Sequence, residues 1–227
     1  CLNVPELDEV QNHYLRVSSK DRGELMIGYN RRFSSHTLRI KELLRSRASP
    51  LTMSMTINSG NIPKDHWTQD KKIGGGRIIG EACHFMDLMV YITGANIEKL
   101  YSLKTKHIDD SEDEMTIVMG FSDGSTGTIN YFSNGSKKYP KETLEIFSDQ
   151  RVIRMENFQR TKSYGFNIKK NYKTFRQDKG HKNAIHKFIN NITTTNSPLI
   201  NFRDIYNVSK ASILAIDSAN TGVQKSV

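Results

Sequence analysis

The chain has 227 residues, of which 36% are hydrophobic and 25% are charged, and its formal net charge is +9. This composition is typical of globular proteins, and a chain of this length can bury a substantial core. No stretch approaches the run of about 18 apolar residues that a membrane span requires, and the N-terminus lacks a basic segment followed by an apolar run. We therefore expect a cytoplasmic protein without a membrane partner, with residues 1–227 forming one domain.

The first half of the chain alternates helical and extended patterns. A helix is predicted for Val4–Val17, because Pro5 suits a first helical turn and apolar residues recur at helical spacing. The next predicted elements are a strand over Glu24–Tyr29, a helix from Ser34 or Ser35 to about Arg47, and a strand over Leu51–Asn58.

A long loop and an apolar helix come next. Residues 61–76 contain Pro63 and three successive glycines but few apolar residues, which predicts an ordered loop over a site. The only tryptophan of the chain lies in it, so His66 and Trp67 are candidates for substrate binding. The following helix is predicted over Arg77–Thr93, with Gly94 as its C-cap.

The second half has strand character and ends in helices. The predicted strands are Glu98–Lys106, Met115–Phe121, Ser125–Phe132, Glu142–Phe147 and Val152–Asn157, and the predicted helices are Asp178–Thr194 and Phe202–Ala219. The clearest hairpin turns at Asp149 and Gln150. Consecutive hairpins between groups of helices indicate an α+β fold, in which helices pack on a large, open, mostly antiparallel sheet.

The basic charge could indicate a polyanion partner. In Lys162–Lys182, cations alternate with aromatic residues, a pattern that can bind single-stranded nucleic acid. The alternative is a solvated segment whose long side chains lie along the surface. We favour the solvated segment, because the other basic residues are dispersed, and expect no nucleic-acid partner.

Three polar residues interrupt the apolar helix at intervals of three: Glu81, His84 and Asp87. This spacing places them along one side of a helix. A carboxylate near an imidazole raises its pKa and fixes its tautomer, which suits a general base. A structural histidine bonded to a carboxylate is the alternative, and the set has too few ligands for a metal.

The glycines before these residues do not match a dinucleotide-binding loop. Gly74, Gly76 and Gly80 have the spacing G-x-G-x-x-x-G, and the segment before them is polar, whereas the dinucleotide motif is G-x-G-x-x-G after an apolar strand. Close packing at the start of the helix is the better interpretation.

The segment Gly74–Leu88 resembles the G-G-x-x-x-D/N-x-x-x-H-x-x-D helix of Gfo/Idh/MocA oxidoreductases. Gly28–Phe33 resembles the strand-end motif of that family, and Asp178–His181 resembles the start of its late helix. The loop Asn58–Trp67 resembles a branch in which this module is fused to an alcohol-dehydrogenase-like region. The matches run in order along nearly the whole chain.

The resemblance implies hydride transfer between NAD or NADP and a sugar or nucleotide sugar. His84 would exchange the hydroxyl proton with help from Glu81 and Asp87, and Asn30, Arg31 and Arg32 would hold the substrate. The arginines also suit a nucleotide-sugar diphosphate. The resemblance further implies a homo-oligomer formed through the open face of the sheet.

Two departures bear on activity. Gly80 stands where the family has Asp or Asn four residues before the histidine, although Glu81 lies next to it. The catalytic lysine of the family and its Rossmann domain would precede Cys1, so that residues 1–20 would be the helix after that domain. We expect the cofactor to bind only with that domain and the 227 residues alone to be inactive. A non-catalytic sugar-binding or oligomerisation module is the alternative function, and a polyanion-binding protein is a less favoured one.

Overall fold

A computed structural model describes residues 1–17, 23–63, 65–70, 72–106, 114–166, 171–194 and 198–227. The helices are α1 (Val4–Arg16), α2 (Ser35–Leu43), α3 (Cys83–Thr93), α4 (His181–Thr194) and α5 (Phe202–Thr221). The strands are β1 (Thr52–Asn58), β2 (Ile97–Lys104), β3 (Met115–Phe121), β4 (Thr126–Phe132), β5 (Glu142–Ser148), β6 (Arg151–Glu156), β7 (Arg160–Tyr164), β8 (Tyr172–Lys173) and β9 (Lys225–Ser226). The α+β fold predicted from the sequence is confirmed.

The described strands form one sheet in the order β8-β7-β6-β5-β1-β4-β3-β2-β9. The sheet is therefore not a simple antiparallel meander, because β1 lies between β4 and β5 and pairs with β4 in parallel. This parallel pair places the C-terminal ends of β1 and β4 at the same edge as the start of β5. The predicted hairpin is confirmed, and Asp149 and Gln150 both have positive φ, as a two-residue type I′ turn requires.

The core lies between one face of the sheet and the helices. In β1 the buried residues alternate, with Met53, Met55 and Ile57 facing inward. α3 is buried along most of its length and packs against α5, whose buried positions recur at helical spacing. No helix among the described residues is both long enough and apolar enough to cross a membrane.

Two predicted elements differ in the structure. Glu24–Tyr29 is predicted to be a strand, but residues 23–29 form no strand and end in two tight turns. A 3₁₀ helix follows over Asn30–Phe33. The apolar helix begins with a π-helical turn at Ile78–Ala82 and becomes α-helical at Cys83. Its predicted end is confirmed by Gly94, which caps α3 in the left-handed conformation.

Candidate functional site

His84 lies in the first turn of α3, beside a cavity of about 380 Å³ that is also lined by Tyr29, Gly80 and Cys83. The ring of Tyr29 meets the His84 ring edge-on, with 5.8 Å between the centroids. Burial and the charge of Arg31 lower the pKa of His84 to about 4, although Glu142 and Glu81 oppose this shift. The expected rise in pKa from a neighbouring carboxylate is therefore wrong, because desolvation is the larger effect. The imidazole is neutral at pH 7 and can accept a proton.

A buried charged cluster lies near His84, whose pKa is affected by the charges of Arg31 and Glu142. Arg31 and Lys179 each contact Oε1 of Glu142 at 2.9 Å, and the Glu142 side chain is 0% exposed. Burial alone would raise the pKa of Glu142, but the two cations hold it below its usual value, so the carboxylate is charged. The Arg31 guanidinium also lies 4.5 Å from the centre of the Phe85 ring.

Three buried atoms of this group have no hydrogen-bond partner within the described part of the chain. They are Nε of Arg31, Oε2 of Glu142 and Nδ1 of His84. Buried polar atoms are nearly always paired in folded proteins, and those that are not often belong to functional sites. Nε of Arg31 is a donor and Oε2 of Glu142 is an acceptor. Such a pair near a neutral imidazole is suited to the hydroxyl groups of a polyol.

Arg32 and Asp87 bind each other. Nε of Arg32 donates to Oδ2 of Asp87 at 3.0 Å, and a second, shorter bond joins Nη2 to Oδ1. Both side chains are buried, and Asp204 lies 3.7 Å from Nη1 of Arg32. Burial raises the pKa of Asp87 to about 6, against the lowering effect of Arg32. The pair joins the 3₁₀ helix to α3, so that both oxygens of Asp87 are directed at Arg32 and not at His84.

Glu81 has a different set of partners. Its carboxylate accepts from Nε of Arg77 at 2.9 Å and from the hydroxyl of Tyr131 at 2.6 Å. Burial opposes ionisation, but these bonds lower the pKa of Glu81, so it is charged and paired. Glu81 and Asp87 are thus each bonded to a different arginine. The two carboxylates and the imidazole of His84 therefore do not meet as a triad.

The remaining sequence candidates lie in the 3₁₀ helix and in the loop. The side-chain amide of Asn30 donates to the Lys179 carbonyl at 2.7 Å, which ties the 3₁₀ helix to the segment before α4. Gly180 allows this contact, since its φ is +85° and a Cβ there would collide with the Asn30 carbonyl. In the loop, Nδ1 of His66 bonds to the Thr68 hydroxyl at 2.8 Å, and Trp67 is 63% exposed and open to a ligand.

The glycines at the start of the helix serve packing. A Cβ on Gly74 would lie 2.5 Å from Cα of Thr68, and this close contact joins the loop to the π-helical turn. The described residues directly before these glycines form a 3₁₀ helix over Trp67–Gln69 and not a strand, and β1 and β4 are the only parallel pair among the strands described. The described residues therefore do not fit a dinucleotide. They also contain no group of three or more His, Cys, Asp or Glu placed to hold a metal.

Glu142 and Lys179 were not among the sequence candidates. Alternation along β5 could have indicated Glu142, because Leu144 and Ile146 face inward and Glu142 shares their side of the strand. Lys179 lies within the Asp178–His181 motif, but its contact with Glu142 depends on the approach of Gly180 to the 3₁₀ helix, which the motif does not show. Of the basic stretch Lys162–Lys182, Lys169 and Lys170 lie outside the described residues.

Comparison with known proteins identifies the family. Residues 38–154 match the model of the GFO/IDH/MocA C-terminal domain, which is more than half of the chain. The chain therefore belongs to this family as its C-terminal domain, with the α+β architecture described above. No curated protein sequence matches the chain.

Solved structures share the fold at low sequence identity. An aldose-aldose oxidoreductase from Caulobacter crescentus, crystallised with glycerol, has a TM-score of 0.80 and 14% identity over 100% of this chain and 70% of its own. A levoglucosan dehydrogenase in complex with NADH and levoglucosan has a TM-score of 0.78 and 17% identity, over 97% of this chain and 70% of its own. An oxidoreductase domain protein from Kribbella flavida has a TM-score of 0.81 and 14% identity, over 100% and 72%.

Proposed function

We propose that this chain is the substrate-binding and catalytic domain of an NAD(P)-dependent dehydrogenase that acts on a sugar or nucleotide sugar. The observation that carries the proposal is His84, a neutral imidazole beside a cavity and next to a buried cluster with unpartnered polar atoms. The similar structures that contain NADH and levoglucosan, or glycerol, support a polyol as the ligand class.

The described residues supply binding and proton transfer. Oε2 of Glu142 can accept a hydrogen bond from a sugar hydroxyl, and Nε of Arg31 can donate one. His84 then takes the proton of the hydroxyl on the reacting carbon, as a general base must be neutral to do. NAD or NADP would accept the hydride from that carbon, and its binding site would lie in a separate dinucleotide-binding domain.

The other predicted site residues have supporting places in this proposal. Arg32 and Asp87 fix the start of α3 against the 3₁₀ helix, and so orient both Arg31 and His84. Asn30 fixes the backbone of Lys179. Trp67 offers an aromatic surface on which a sugar ring can stack. The branch with a fused alcohol-dehydrogenase-like region is part of the same proposal, based on the Asn58–Trp67 loop.

The test is turnover in a protein that joins this chain to a dinucleotide-binding domain. With a panel of sugars and nucleotide sugars, NAD(P)H formation is followed for the unchanged protein, for His84→Ala and for His186→Ala. We expect His84→Ala to lower kcat by about 10²- to 10⁴-fold, the usual contribution of a general base. His186 is exposed on α4 and serves as the matched control. Equal turnover by His84→Ala and the control would refute the catalytic role.

One observation favours a non-catalytic sugar-binding module instead. Gly80 occupies the position of the family's Asp or Asn, and Glu81 is paired with Arg77 and Tyr131, so within the described part of the chain no hydrogen bond joins the Glu81 carboxylate to His84. If the joined protein binds sugars without reducing NAD(P) under any condition of pH, this second function is the correct one.

We also propose that the open face of the sheet forms a homo-oligomer. Four large apolar residues are 43 to 60% exposed on strands whose alternate residues form the core: Leu103, Val118, Phe147 and Tyr164. Exposed apolar residues grouped on one face are typical of protein interfaces. Light scattering of the purified chain tests this: Phe147→Glu with Val118→Glu should convert an oligomer to a monomer, and a monomeric unchanged chain would contradict the proposal.

A further inference from the structure

A second cavity opens at the sheet edge where β1 and β4 end. Its volume is about 330 Å³, and it is lined by Asn58, Ser59, Gly60, Asn61, Lys137, Tyr139 and Lys141. It lies between the C-terminal end of β1 and the loop that leads from β4 to β5. Cavities of this size are at the lower end of small-molecule sites, and the volume suits one charged group with its neighbouring atoms.

The wall of this cavity contains an unpartnered buried acceptor. Asn58 is 8% exposed, and its amide nitrogen donates to the Ser136 carbonyl at 2.7 Å. Its Oδ1 has no hydrogen-bond partner within the described part of the chain. Gly135 packs so closely that a Cβ there would collide with the Asn58 amide, which fixes the amide in place. A fixed acceptor without a donor is suited to a hydroxyl group of a ligand.

The charged residues that line the cavity are both lysines. Lys137 and Lys141 are both exposed there, with Tyr139 between them. The nearby carboxylate of Glu81 is neutralised by Arg77, which also donates to the Gly60 carbonyl at 2.7 Å. Two exposed ammonium groups beside a concave surface favour an anion such as a carboxylate or phosphate.

This cavity adjoins the site at His84. Lys141 lines this cavity, and the next residue, Glu142, belongs to the charged cluster near His84. Arg77 and Glu81 stand between them, and Glu81 is one turn of helix before His84. A ligand that reaches both places would pass over Glu81, whose carboxylate is bonded to Arg77 and Tyr131.

We propose that the cavity at Asn58 binds the anionic group of the substrate, which is a sugar carrying a carboxylate or a phosphate. This inference rests on the proposed function for the position of the reacting carbon. Lys137 and Lys141 bind the anion, and Oδ1 of Asn58 accepts from a hydroxyl next to it. The substrate preference is then determined by charge at a place that does not take part in proton transfer.

Calorimetric titration of the 227-residue chain tests the inference without a cofactor. The probes are glucose, glucuronate, glucose 1-phosphate and UDP-glucose, each with its galactose counterpart. The variant is Lys137→Ala with Lys141→Ala. The control is Lys138→Ala with Lys162→Ala, which removes the same charge from exposed positions outside the cavity. All of these lysines are exposed, so the variants should retain the unfolding temperature of the unchanged chain.

We expect at least one anionic sugar to bind tenfold or more tightly than its neutral counterpart, and the variant to lose that preference while the control keeps it. A carboxylate preference and a phosphate preference are separated by glucuronate and glucose 1-phosphate. Equal binding of neutral and anionic sugars, equal weakening by the control, or no binding of any anionic sugar overturns the inference. None of these results bears on His84, whose role is decided by turnover in the joined protein.

Discussion

The buried pair of Arg32 and Asp87 gives the sharpest prediction about stability. Replacing Asp87 with Ala removes both acceptors of the Arg32 guanidinium, which is 5% exposed and cannot recover its hydration without opening the fold. Breaking a buried ion pair in this way typically costs about 3 to 5 kcal/mol. Since Asp204 remains 3.7 Å from Nη1 of Arg32, we expect the lower end, about 3 kcal/mol.

Urea unfolding at pH 7 measures this effect, with Asp204→Ala as the matched control. That variant should lose about 1 kcal/mol or less, because Asp204 is 28% exposed and its contact is long. The double variant Arg32→Met with Asp87→Leu should regain most of the lost stability, because no unpaired buried charge remains. Loss of sugar binding by Asp87→Ala at unchanged stability would refute the structural role and would assign Asp87 to the substrate.

Three further predictions concern the site. Glu142→Gln should weaken sugar binding about tenfold or more and lower thermal stability, because Arg31 and Lys179 lose their shared anion; binding equal to that of the unchanged chain would exclude Glu142 from the site. The pKa of His84 is lowered in the folded chain, so protonation of His84 favours the unfolded chain. The free energy of unfolding should therefore be highest above about pH 6.5 and should fall toward pH 4 by at most about 3 kcal/mol. His84→Gln should remove this part of the fall. Gly180→Ala should cost more than 1 kcal/mol, since its positive φ and the Asn30 carbonyl leave no room for a Cβ; an unchanged unfolding midpoint would contradict that packing.

Local patterns predicted the elements well where side chains alternate or recur regularly. The periodicity of Val4–Val17 indicated α1, and Gly94 indicated the end of α3, because capping depends only on neighbouring residues. The apolar run Glu24–Tyr29 is predicted to be a strand but does not form one, because apolar content does not show whether a partner strand is present. The insertion of β1 between β4 and β5 has no local signal, because strand order depends on contacts far apart in sequence.

The site was predicted in part for the same reason. Helical spacing indicated Glu81, His84 and Asp87 as candidates, but it did not show that Glu81 and Asp87 are bonded to different arginines. Arg32 reaches Asp87 from another element, and only the folded chain reveals that pairing. Arg77 and Glu81 lie four residues apart at the start of the same helix, so this pair could have been predicted from helical spacing. The lowered pKa of His84 likewise results from burial, which a sequence indicates only through the apolar character of its neighbours.

The most direct test of the central claim is to observe the His84 ring while a sugar binds. The 227-residue chain, labelled with ¹⁵N at histidine, is titrated at pH 7 with the sugar that binds most tightly in calorimetry, and His84→Gln assigns the resonances. We predict a neutral His84 ring whose nitrogen signals shift on titration and saturate with the calorimetric dissociation constant. Full binding of the sugar with unchanged His84 signals would place the ligand elsewhere and contradict the proposed site.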